Sequence, residues 1–105
     1  MEEPLLSEYL AKQIEWSKKT FGDTPRTIGI TKHMMKEIEE VRQSPEDLSE
    51  WADLMILAFD GFWRHGGTPE TIMKVLLEKQ NKNLARTYPF PVSDNEPSEH
   101  DRTKE

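Results

Sequence analysis

The chain contains no cysteine. Disulfides and thiolate metal sites are therefore excluded, and a reducing cytosol is compatible with the composition. Basic residues are the scarcer sign, 14 Lys and Arg against 20 Asp and Glu, which leaves a net charge of −6. A basic face for gripping a nucleic-acid polymer is accordingly missing. Long hydrophobic runs are missing too. The most apolar stretch, Leu54 to Phe59, is far too short to span a bilayer. The N-terminus MEEPLLSEYL is acidic where a secretion signal would be basic. No stretch keeps the two-residue alternation of a half-buried strand. These absences leave a soluble, cytoplasmic, all-α protein with no membrane partner. With 105 residues, 34% apolar and 32% charged, it has room for one small domain and a small core. Association of subunits would enlarge that core.

Helical spacing is present four times. Leu10, Ile14, Ser17 and Phe21 fall on one face of a helix expected over about Ser7 to Thr20, and Gly22-Asp23-Thr24-Pro25 breaks it. Met34, Ile38 and Val41 form the core stripe of a second helix over about Thr31 to Arg42. Ser44, Pro45 and Asp47 read as the opening of a third helix, from about Pro45 to Arg64. It is apolar nearly all round between Leu54 and Phe59, which makes it central. Thr68-Pro69-Glu70 signals a fourth helix running to about Arg86. One of its stripes, Ile72, Leu76, Lys79, Asn83 and Arg86, begins apolar and ends polar and basic. Residues 1–90 are thus expected to be the domain. Residues 91–105, rich in Pro, Ser and charge with little to bury, are expected to be a flexible, disordered tail.

Two acidic pairs stand out: Glu37-x-x-Glu40 on the second helix and Glu50-x-x-Asp53 on the third. A spacing of three puts both members of a pair on one side of a helix. Two such pairs on neighbouring antiparallel helices would bring four carboxylates together. Carboxylates beside a core-forming segment are costly without a positive partner. Hard oxygen ligands suit Mg²⁺ or Mn²⁺. Such an ion would neutralise a triphosphate and activate water for attack on phosphorus. Lys79 and Arg86 could then hold outer phosphate oxygens, with Asn83 as a neutral hydrogen-bonding partner. The plain alternative for Glu37 and Glu40 is a solvated helix shoulder, and for Glu50 an ordinary first-turn acid. Asp60, on the same side as Asp53, fits a structural salt bridge at least as well as a contact to substrate. His33 fits a helix surface better than a ligand position. Trp51 and Trp63 read as core or interface, whereas Trp16, off the apolar stripe, is the better candidate for stacking on a base. Arg26, in a loop, is either solvated or a phosphate contact.

Taken in order, these motifs resemble the MazG-like superfamily of all-α nucleoside triphosphate pyrophosphohydrolases. Trp16 with Phe21-Gly22, His33 with Lys36-Glu37, Glu50-Trp51-Ala52-Asp53-Leu54, and Lys79, Asn83 and Arg86 before Tyr88-Pro89 are most similar to its dATP/dGTP pyrophosphohydrolase (MazZ-like) branch, common in phages and prophages. The resemblance spans about Ile14 to Pro89. It implies a four-helix core and metal-dependent cleavage between the α and β phosphates of dGTP or dATP, giving the monophosphate and pyrophosphate. It places the metal-ligand and catalytic roles on Glu37, Glu40, Glu50 and Asp53. Substrate contacts fall to Lys79, Asn83 and Arg86, joined by Trp16 and Lys36. Many members carry two adjacent acids at the start of the first motif. Here Lys36 stands in the first place, so the resemblance leaves the number of metals open. It further implies a homodimer or homotetramer in the cytoplasm, the host's if the chain is phage-encoded. The purpose would be control of a nucleotide pool or supply of a precursor for modified DNA. Two other functions stay open at this level: a non-catalytic helical adaptor whose acidic face binds a protein, and a hydrolase for dUTP or dCTP.

Overall fold

A computed structural model describes residues 2–101. Among these residues it contains four helices and no strand: α1 (Leu6–Phe21), α2 (Thr27–Gln43), α3 (Leu48–Arg64) and α4 (Ile72–Ala85). The protein is all-α, as its periodicity requires. No helix among the described residues is long and apolar enough to cross a membrane. The chain forms two compact units, one up to Ile72 and one from Met73 onward.

In the first unit α3 is the central helix, packing against both α1 and α2. The short Ser44–Asp47 connection makes α2 and α3 antiparallel neighbours. Leu10 of α1, Ile30 and Val41 of α2, Trp63 of α3 and Ile72 supply the buried apolar core. Each such aliphatic side chain contributes about 1.5–3 kcal/mol. Tyr9 meets Phe59 edge-on with ring centroids 6.0 Å apart, which fastens α1 to α3.

Three helix starts depart from the sequence reading, each for a local reason. α1 stops where expected. Gly22, at φ 82°, takes a left-handed turn that favours glycine, and its N–H donates to the Lys18 carbonyl at 2.9 Å. α2 begins a turn before Thr31, because Arg26 adopts the left-handed conformation (φ 49°) and lets Thr27 enter the helix directly. α3 begins at Leu48 rather than Pro45. Asp47, not Ser44, is its cap, accepting from the Ser49 N–H at 3.0 Å. α4 begins at Ile72. Thr68 and Thr71 bond each other's backbone N–H groups and spend the expected start signal on a turn.

The core holds a polar knot that the apolar stripes did not foretell. Ser17, Asp60 and Arg64 are buried together. Arg64 Nε donates to Asp60 Oδ2 at 3.0 Å, and its Nη2 to Ser17 Oγ at 3.0 Å. Asp60 Oδ1 accepts from the Ser17 hydroxyl and from the Trp63 indole N–H, the latter at 2.8 Å. Arg64 Nη1 donates to the Thr24 carbonyl at 2.7 Å. One ion pair thereby joins α1, α3 and the loop after α1, with every charged atom given a partner. Trp63 is buried as expected. Trp51 is half-exposed, its indole N–H donating to the Pro45 carbonyl at 2.9 Å.

The second unit carries α4 from Met73 onward and the chain after it. Tyr88 Oη donates to Asn83 Oδ1 at 3.3 Å, and the Tyr88 ring meets His100 edge-on at 6.2 Å. From Val92 to Asp101 there is neither helix nor strand, in keeping with the expected tail. Residues 102–105 of that tail lie outside the described residues.

Candidate functional site

Glu37 and Glu40 project from α2, and Glu50 and Asp53 from α3. Because the two helices run antiparallel and each pair spans three residues, all four carboxylates face the same gap. One oxygen from each lies within 4.8 Å of the others. Glu37 is well covered, its side chain 13% exposed, and it accepts a hydrogen bond from His33 Nε2 at 3.2 Å. Glu37 Oε2 and Glu50 Oε2 are buried with no hydrogen-bond partner. Orphaned buried oxygens are rare in folded proteins and call for an explanation.

The crowding shows in the proton affinities. Glu37 is held above the ordinary carboxyl value, first by the adjacent Glu40 carboxyl, with which it could share a proton. Burial and the charges of Glu40 and Asp53 add to this, while the His33 contact opposes it. Glu50 is also raised, chiefly by burial and then by Glu40, Asp47 and Asp53. Four hard oxygen donors, two of them orphaned, fit a divalent cation of the Mg²⁺ or Mn²⁺ type.

The cluster opens onto a cavity of about 280 Å³ in the first unit. That volume is just under the range of about 300–1,000 Å³ usual for small-molecule pockets. Glu37 and Asp53 belong to its lining, and so do Trp16, Ile30 and Leu57. Trp16 is 53% exposed and packs edge-on against Phe21 at 5.5 Å. An exposed indole on the wall of a cavity is available to a planar ligand. His33 also lines the cavity, and its bond to Glu37 places it behind a candidate ligand. Asp60 faces the same space, but its oxygens are already engaged by Ser17, Trp63 and Arg64. It is the structural salt bridge of the two readings offered above. Gln13, Phe21 and Gly29 line the cavity without having been singled out as site residues. Only the spacing of Gln13 from Trp16 and Ser17 on α1 could have pointed to it. Lys36 is exposed on α2.

The remaining expected substrate residues belong to the second unit. Lys79 and Asn83 lie on α4 and Arg86 just after it. Arg86 Nη1 donates to Asn83 Oδ1 at 3.4 Å, so this part of the stripe is joined locally.

Packed helices that bring an E-x-x-E pair on α2 and an E-x-x-D pair on α3 to one gap define an all-α protein with an acidic candidate metal site. The chain belongs to the dATP/dGTP pyrophosphohydrolase family, whose model matches residues 9–104. It is also similar to the Eaa protein of Salmonella phage P22, at 42% identity over 86 residues. That match covers 82% of this chain and 26% of the phage protein, so the chain spans about a quarter of its relative's length. No solved structure matches the chain.

Proposed function

We propose that the protein is a Mg²⁺- or Mn²⁺-dependent pyrophosphohydrolase acting on a purine deoxynucleoside triphosphate, dGTP or dATP. The observation that carries the reading is the convergence of the Glu37, Glu40, Glu50 and Asp53 oxygens within 4.8 Å at one end of a nucleoside-sized cavity. Family membership supports the same chemistry. The four carboxylates would hold the metal. When bound, it supplies positive charge to the polyphosphate and acidity to water.

The chain's own residues do the rest. His33 orients Glu37 through its second hydrogen-bonding edge, as partners of metal ligands commonly do. A carboxylate of the cluster takes the proton of the attacking water. Trp16 and the apolar wall of Ile30 and Leu57 receive the base and exclude water. Lys79, Asn83 and Arg86 are assigned to the polyphosphate on charge and hydrogen-bonding capacity, and Lys36 to a peripheral phosphate contact. Water attacks the α phosphorus, the bond to the bridging oxygen of the β phosphate breaks, and pyrophosphate leaves. The enzyme works in the cytoplasm as a homodimer or homotetramer. It clears a nucleotide pool or supplies a monophosphate for modified DNA.

A panel of dNTPs and NTPs with Mg²⁺ or Mn²⁺, followed by product identification, tests the reading. The deoxypurine triphosphates should give monophosphate and pyrophosphate. Orthophosphate as the released product, or no turnover of any nucleotide, would reject it.

A further inference from the structure

The carboxylate cluster accounts for one end of the cavity, and the other end has a different chemistry. Arg26 lines it and is the one non-glycine residue among the described residues with a positive φ, 49°. A left-handed backbone under a bulky side chain is uncommon and persists where the surroundings fix it. Here they do. The Arg64 bond to the Thr24 carbonyl ties the loop before Arg26 to the buried Asp60–Ser17 knot. The Arg26 guanidinium lies over the Phe21 ring, 4.9 Å from its centroid. Its Nη2 stands 3.9 Å from the point where a Gly29 side chain would begin. One face of the fork is therefore covered by an aromatic ring, and a stacked guanidinium keeps its N–H edge for acceptors in its own plane.

We propose that Arg26 reads the base in this cavity and selects guanine over adenine. This rests on the pyrophosphohydrolase reading, in which the phosphates occupy the Glu37–Asp53 end. Gly29, beside the Arg26 guanidinium, lies about 12 Å from Glu37 along α2, at about 1.5 Å of rise per residue. That is the reach of a base rather than of an α phosphate. The apolar lining residues Trp16, Phe21 and Ile30 suit a planar base and would not solvate a phosphate. A guanidinium has donors only. Guanine presents two acceptors on one edge, O6 and N7, and takes such a fork bidentately. Adenine presents an acceptor beside a donor, and the fork leaves one group unmatched. Gln13, which also lines the cavity, has the amide that would match adenine. It is the rival reader.

The test is equilibrium binding of dGMP and of dAMP, with EDTA present, by calorimetry and by quenching of tryptophan fluorescence. Wild-type protein should bind dGMP about tenfold or more tighter than dAMP, the discrimination of one bidentate base contact. Arg26→Gln should erase that ratio. Arg26→Lys, which keeps the charge and loses the fork, should erase most of it. Equal affinities in the wild type, tighter binding of dAMP, binding of neither, or a ratio that survives in Arg26→Lys would each overturn the proposal. The wild-type ratio decides even if a variant fails to fold. Hydrolysis plays no part in this readout. A protein that prefers dGMP yet turns over no triphosphate refutes the pyrophosphohydrolase reading alone, and one that hydrolyses dGTP and dATP without base preference refutes Arg26 alone.

Discussion

Asp60 and Arg64, one turn apart on α3, form an ion pair whose side chains are 9% and 0% exposed. Removing one member of a buried pair leaves the other charge stranded, which costs about 3–5 kcal/mol. Arg64→Ala should therefore lower the urea-unfolding free energy by about 3 kcal/mol or more. It should also loosen the Gly22–Arg26 loop, because the Thr24 carbonyl loses its donor. Urea titration followed by circular dichroism measures the first effect. A loss of under about 1 kcal/mol would mean that the pair is no more valuable than a surface one.

The acidic cluster predicts a pH dependence of unusual sign. Glu37 and Glu50 have folded-state values above their ordinary 4.5. The folded protein thus binds more protons than the unfolded chain above pH 4.5. Their contribution to stability is fully present below that value and is lost as pH rises through the raised folded values. Metal-free protein should accordingly melt at a higher temperature at mildly acidic pH than at neutral pH. Added Mn²⁺ should flatten the dependence, because the cation replaces the proton. Melting curves across pH in EDTA and in Mn²⁺ check this. A metal-free melting temperature that climbs with pH through the same window would contradict it.

The same crowding separates stability from function. Glu50→Gln removes a charge that its neighbours oppose. The variant should melt higher than wild type in EDTA, yet lose the rise that Mn²⁺ gives the wild-type protein. A variant that keeps the full Mn²⁺-dependent rise would take Glu50 out of the ligand set.

His33 touches Glu37 Oε1 at 3.2 Å from the preceding turn of α2. Loss of a hydrogen bond behind a metal ligand commonly weakens metal affinity about 10–100-fold. His33→Ala should weaken Mn²⁺ binding by about tenfold in calorimetry, and His33→Gln, which can still donate, should restore part of it. Unchanged affinity in His33→Ala would make the contact incidental.

Much of this site was legible in the sequence because it is local. Glu37-x-x-Glu40 and Glu50-x-x-Asp53 need only the helical period and one short turn to converge. The helix ends were less legible where two signals competed. Ser44 and Asp47 can each cap a helix, and the Ser49 N–H chose Asp47. Thr68-Pro69 carries a start signal that the Thr68–Thr71 bonds turned into a tight turn. What sequence could not supply was long-range. Ser17 was read only as sharing a helix face with Leu10, Ile14 and Phe21, and its meeting with Arg64 and Asp60 comes from a distant helix. Arg26 read as either a solvated loop residue or a phosphate contact, because its left-handed backbone and its place over Phe21 come from loop anchoring and not from local propensity.

The most direct measurement is hydrolysis of dGTP with Mn²⁺ in ¹⁸O-labelled water, by wild type and by Asp53→Asn, with the products resolved by mass. The account predicts dGMP carrying the label, unlabelled pyrophosphate, and no turnover by Asp53→Asn at unchanged helix content. Label in the pyrophosphate, release of orthophosphate, or an Asp53→Asn variant as active as wild type would contradict it.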